Sequence, residues 1–122
     1  MVTRFHYLSV VSVHTKIEKE GIYFITFTCQ EWLPLLQLTQ GYDIVYNFFN
    51  VLSTQGHTVL AYVVMPNHVH LLLHYSGGKS LNTVIGNGKR FMAYEIINRL
   101  ELKDERFLLQ KLQAGVEGKG KS

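Results

Sequence analysis

Thr58-Val59-Leu60-Ala61-Tyr62-Val63-Val64-Met65-Pro66-Asn67-His68-Val69-His70-Leu71-Leu72-Leu73-His74-Tyr75 is the stretch that decides how this chain folds. It is two apolar runs broken at Pro66-Asn67. Proline cannot donate to a central ladder and asparagine tolerates turn conformations, so the stretch predicts a strand, a tight turn and a second strand, paired as an antiparallel hairpin. Along the second strand the side chains alternate, with His68, His70, Leu72 and His74 on one face and Val69, Leu71, Leu73 and Tyr75 on the other. His68 and His70 then stand roughly 6–7 Å apart at Cα, close enough for both rings to converge on one metal ion. A His-x-His pair on a half-buried strand also serves simply as packing, since imidazole is intermediate in burial. His74 lies about 13 Å along the strand from His70, too far to join them. His57 and His6 have no such spacing and read as surface or loop residues.

Upstream of the hairpin, Gly21 opens Ile22-Tyr23-Phe24-Ile25-Thr26-Phe27-Thr28, rich in β-branched and aromatic residues, which predicts an inner strand. The patch from Tyr7 to Val13 can add an edge strand, and Lys16 to Glu20 is a charged, solvated connection. Trp32-Leu33-Pro34-Leu35 reads as a loop, with Trp32 packed beneath it rather than stacked on a base. Thr39 is placed to cap a helix carrying Tyr42, Val45, Tyr46, Phe49 and Leu52 on one stripe, with Gly56 as its left-handed stop.

Downstream, Ser80 can cap a helix reaching Leu102. Its Gly86-Asn87-Gly88 implies a kink or the close approach of another backbone. Asp104 is placed to cap a last helix with Phe107, Leu108 and Leu112. The Gly-rich end predicts a single domain over 1–116 and a flexible tail over 117–122. The order strand, helix, strand, strand, helix gives an α+β fold, a ferredoxin-like antiparallel sheet with helices packed on one face.

With 122 residues, 47% hydrophobic and 17% charged, the chain has the make-up of one ordered domain rather than a disordered segment. A net charge of +3 and a pI near 9.0 permit a polyanionic partner without requiring one. Cys29 is alone, so an intrachain disulfide is excluded, and it reads as a small buried hydrophobe. No uninterrupted apolar run is long enough for a membrane span, and the N-terminus lacks a signal-peptide pattern, which places the protein in the cytoplasm.

The string Tyr62-Val63-Val64-Met65-Pro66-Asn67-His68-Val69-His70-Leu71-Leu72 resembles the signature of the single-tyrosine transposases of the HUH nuclease superfamily, the insertion-sequence transposases and REP-associated tyrosine transposases. Ile25-Thr26-Phe27-Thr28 and Lys89-Arg90-Phe91-Met92-Ala93-Tyr94-Glu95 are similar to the flanking elements of that family, so the resemblance spans residues 20–112. It implies the same ferredoxin-like architecture and a divalent metal, magnesium or manganese, held by His68 and His70. It also implies cleavage and rejoining of single-stranded or hairpin DNA through a phosphotyrosine intermediate, in which the metal polarises the phosphate and a tyrosine hydroxyl attacks. The family's insertion-sequence members work as dimers, so a homodimer is implied as well. Lys89 and Arg90 are candidates for phosphate contact, against a simple solvated face.

The resemblance puts the nucleophilic tyrosine, and the third metal ligand one turn after it, on a helix beyond Ser122, so the chain is expected to be truncated before its catalytic helix. Tyr94 is the one tyrosine downstream of the motif on a predicted helix, yet it matches an earlier helix of the family. Three functions compete: a transposase domain of this kind, a nucleic-acid-binding module of the same fold without the chemistry, and a small metal-dependent hydrolase. The last needs a carboxylate beside the histidines, whereas Glu31, Asp43 and Glu95 lie on other segments. RNA-recognition modules share the plan, so the fold alone does not choose among them.

Overall fold

The computed structural model describes residues 8–10 and 19–120, with side chains from 19 to 114. In chain order the elements are β1 (Leu8–Val10), β2 (Gly21–Cys29), α1 (Leu35–Leu38), α2 (Tyr42–Thr54), β3 (Thr58–Met65), β4 (His68–Tyr75), α3 (Leu81–Leu102) and α4 (Arg106–Gly120). The sheet is antiparallel in the order β1-β2-β4-β3, so the predicted hairpin is formed and its second arm is a central strand. β1 is the edge strand expected within the 7–13 patch. His6 and the charges at 16–18 lie outside the described residues.

One face of the sheet is dry. Ile25, Phe27 and Cys29 of β2 and Val69, Leu71, Leu73 and Tyr75 of β4 are each 3% exposed or less, and they pack with the buried faces of α2 and α3 in one core. The helices therefore cover a single face, in the ferredoxin-like α+β arrangement expected. Burial pushes the Cys29 thiol up to about 11, so it is the inert apolar filler anticipated.

Several local expectations are revised by the packing. Thr39 does not cap α2. Its hydroxyl donates to the Leu35 carbonyl at 2.7 Å and closes α1, and α2 starts after Gly41. The buried stripe of α2 is Ile44, Val45, Phe48, Phe49 and Leu52, which leaves Tyr46 at 43% exposure, while Phe48 packs between Phe27 of β2 and Gly88 of α3. Gly56 ends α2 as expected, with φ +94 and the His57 N–H donating to the Leu52 carbonyl at 3.0 Å, a Schellman closure.

Ser80 caps α3 through the Thr83 N–H, and α3 runs unbroken through Gly86-Asn87-Gly88. Gly88 is needed there because the ring of Phe48 on α2 occupies the space a Cβ would take. Asp104 terminates α3 rather than capping α4: at φ +56 it lets the Glu105 N–H reach the Leu100 carbonyl at 3.0 Å. The helical backbone of α4 runs to Gly120. Once a helix is nucleated and anchored, here by the fully buried Leu112, each added residue gains a hydrogen bond.

Candidate metal centre and nucleic-acid face

The opposite face of the sheet carries the predicted histidines. β2 pairs with β4 so that Thr28 lies across from His68, Thr26 from His70 and Phe24 from Leu72, while β3 sets Met65 beside His68 and Val63 beside His70. His68 and His70 are half-buried, and their ring centroids are 4.8 Å apart at 81°. Strand alternation brought them together as the spacing required.

Each imidazole is held by its Nδ1. His68 Nδ1 lies 2.8 Å from Asn67 Oδ1, and His70 Nδ1 lies 3.2 Å from Thr26 Oγ1. The Asn67 amide has a fixed orientation because its Nδ2 donates to the Trp32 carbonyl at 3.2 Å, which turns Oδ1 toward His68. An amide oxygen only accepts, so His68 Nδ1 must be the donor, and in the neutral ring the lone pair falls on Nε2. This is the outer-shell pattern by which metal-binding histidines are oriented. The turn that carries Asn67 is itself pinned, since the Cys29 N–H donates to the Asn67 carbonyl at 2.9 Å and the Leu36 N–H to the Pro66 carbonyl at 3.0 Å.

Two neutral imidazoles this close, with His68 offering Nε2, fit a divalent transition-metal ion, and a magnesium ion would complete its shell with water and phosphate oxygens. Among the described residues no third histidine, cysteine or carboxylate joins the pair.

Two aromatic rings flank the imidazoles. Trp32 was expected beneath its loop but is 62% exposed, its ring 5.8 Å from His68 at 76°. Phe24, 53% exposed, stacks on His70 at 5.5 Å and 15°. Trp32 faces the site because Glu31 and Trp32 both adopt left-handed backbone, φ 54 and 58, in the tight turn after β2. Neither this turn nor the cross-strand partners Thr26 and Phe24 announces itself in local sequence; only the strand register reveals them.

The remaining candidates lie elsewhere. Lys89, Arg90 and Tyr94 are on α3, in the helical layer behind the sheet. Lys89 and Arg90 are half-buried, and Arg90 Nη1 donates to Asn87 Oδ1 at 3.4 Å. Tyr94 is 54% exposed beside the fully buried Ala93, so it points away from the core rather than into it, and it is on the layer opposite the imidazoles. His74 is remote from the pair as expected and lies 3.4 Å from Glu20. His57 corrects its surface assignment: it is 5% exposed, stacks on Tyr75 at 5.1 Å, and accepts the Ser76 N–H at Nδ1. Burial, and secondarily the nearby His74, hold its pKa below the usual imidazole value.

A family model described as "Transposase IS200 like" matches residues 22–112, three quarters of the chain. The chain belongs to the IS200-like transposase family. The matched span contains the histidine pair, Thr26, Trp32 and Asn67. Its fold is also similar to a crystal structure of an assigned transposase from Deinococcus radiodurans R1, with a TM-score of 0.53 at 17% identity, covering 72% of this chain and 68% of that one. No curated protein matches it. A transposase acts on DNA, and among the described residues no helix is long and apolar enough to cross a membrane.

Proposed function

We propose that this IS200-like transposase chain binds single-stranded or hairpin-bearing DNA on the open face of its sheet, with His68 and His70 holding a divalent ion, manganese or magnesium, against a backbone phosphate. The observation that carries the reading is the pair of imidazoles 4.8 Å apart on that face, each engaged at Nδ1 by Asn67 or Thr26. A bound ion there supplies Lewis-acid polarisation of the phosphate. The protein's own part is positional: the β4 register sets the ring separation, and Asn67 fixes the His68 tautomer. The net charge of +3 adds a salt-dependent attraction for the DNA backbone. Lys89 and Arg90, on the helical layer, contribute to phosphate binding only where DNA wraps around from the sheet face. The setting is the cytoplasm, and the exposed edge strand β3 is available for pairing two copies.

Strand transfer through a phosphotyrosine link also needs a tyrosine hydroxyl aligned on the phosphate, and misplacement by about 1 Å costs roughly 100-fold. Tyr94 on the helical layer does not meet that need. These 122 residues should therefore bind hairpin DNA without forming a covalent adduct. Isothermal titration with manganese should show binding by the wild type that His70→Ala loses; equal affinity in the two would refute the metal site. A labelled hairpin oligonucleotide with manganese should be retained on a native gel and give no adduct on a denaturing gel. An adduct that disappears in Tyr94→Phe would make Tyr94 the nucleophile.

A further inference from the structure

We propose that Trp32 and Phe24 are stacking platforms for the unpaired bases on either side of the phosphate held at the imidazole pair. This rests on the reading of the open sheet face as a single-stranded DNA surface. The four rings Trp32, His68, His70 and Phe24 form a continuous row, with successive centroids 5.8, 4.8 and 5.5 Å apart. The polar, metal-competent rings are in the middle, and the two ends are aromatic rings more than half exposed. A nucleic-acid strand has the matching order: a phosphate between two bases, each with an apolar π-face.

Folding does not explain the exposure of Trp32. Trp32 leaves most of its indole in water, and its turn uses two consecutive left-handed non-glycine residues, a conformation that costs backbone energy without burying the side chain. The Asn67 amide that orients His68 also anchors the Trp32 carbonyl, so indole and imidazole are positioned by one side chain. At the other end, Phe24, Val63 and His70 line an apolar groove of about 230 Å³ beside the row. A duplex hides the faces of its bases, so such platforms select unpaired strands, and they tolerate any sequence because every base has a π-face.

Trp32 is the sole tryptophan, so its fluorescence reports directly on the site. The probe is a hairpin oligonucleotide with a single-stranded tail, titrated in EDTA and again with manganese. Trp32 emission should be quenched by the tailed hairpin in both conditions, and much less by a blunt duplex. Trp32→Ala and Phe24→Ala should each weaken binding of the tailed hairpin about tenfold, read by fluorescence anisotropy of a labelled tail. Trp32→Phe should recover most of that loss. Both side chains are exposed, and unchanged melting curves will confirm that the variants fold.

Wild-type affinity in both alanine variants, with the wild type still binding DNA, would overturn the platforms while leaving the DNA reading intact. Absence of any DNA binding by the wild type would overturn both. Loss of manganese binding in His70→Ala with the quench retained would support the platforms and separate them from the metal. Quenching that depends on protein concentration without DNA would assign the face to a second copy of the chain, against the proposal.

Discussion

Gly86 and Gly88 sit two residues apart in α3, and replacing each by alanine should move stability in opposite directions. Alanine in a helix interior is worth about 1 kcal/mol over glycine. At Gly86 a new Cβ meets nothing within 4 Å, so Gly86→Ala should collect that full gain. At Gly88 the new Cβ would lie 2.0 Å from Phe48 Cε1 and 2.5 Å from Cδ1 and Cζ. Carbon atoms rest at about 3.5–4.0 Å, so the ring or the whole α2–α3 crossing must retreat by about 1.5 Å. Phe48 has little room to do so, being 2% exposed and set edge-on against Phe27 at 5.6 Å. Overpacking of this kind costs about 1–3 kcal/mol, and a trapped ring belongs at the upper end. Offset by the helical gain, the net loss is about 2 kcal/mol. An unfolding entropy of about 2.1 cal/mol/K per residue makes 1 kcal/mol worth about 4 °C in a chain of 122 residues. Differential scanning calorimetry should then place Gly86→Ala about 4 °C above the wild type and Gly88→Ala about 8 °C below it. A Gly88→Ala protein melting at or above the wild type would refute the claim that the helix crossing needs bare backbone at that position.

Other perturbations probe the site and the charge network. Asn67→Ala and Thr26→Val should each weaken manganese affinity by about 10- to 100-fold, measured by titration calorimetry, because they free the rings they now orient. Asp43, paired with Arg99 at 2.6 Å, has its carboxyl held below the ordinary value by that guanidinium. Its contribution is therefore complete above the unfolded pKa and lost as pH falls through the folded one. The melting advantage of wild type over Asp43→Asn should accordingly hold at neutral pH and shrink below about pH 4. His57 has a lowered folded pKa too, so the unfolded chain takes up its proton first. Its stabilisation should be intact above about pH 6.5 and fall away as the pH drops below that, whereas His57→Asn, which keeps an acceptor for the Ser76 N–H, should lack that component; melting curves across this range decide it.

What the sequence disclosed follows from the range of the interactions involved. The hairpin, the strand at 21–29, the Ser80 cap and the Gly56 stop rest on alternation, capping and turn chemistry, which act within a few residues, and all were readable. So was the pairing of His68 with His70. Thr26, Phe24 and Trp32 were not assigned to the site because their relation to the histidines runs through the β2–β4 register and a turn some 35 residues away from Asn67 in sequence. The rotation of α2 was misjudged for a related reason: Tyr46 and Phe48 are both aromatic, and only the facing surface decides which is buried. Asp104 has the chemistry of a cap, yet its tolerance of left-handed backbone let it end one helix instead of starting the next.

The two faces of β4 divide the work between folding and function. Val69, Leu71, Leu73 and Tyr75 fix the register, because a slip by one residue would carry all four out of the core and put the histidines into it. The separation of the imidazoles is thus inherited from core packing and needs no attraction between the rings themselves. The other face has no such account. Val63 and Met65, beside His70 and His68, are 52 and 40% exposed, and Phe24 at the end of the row is 53% exposed, where polar residues would serve solubility better. Apolar surface retained around a polar cluster, on a face that no described helix covers, points to a ligand that offers both apolar rings and charge. A single-stranded polynucleotide offers both along one chain, and that is why the aromatic ends of the row belong with the histidines at its centre.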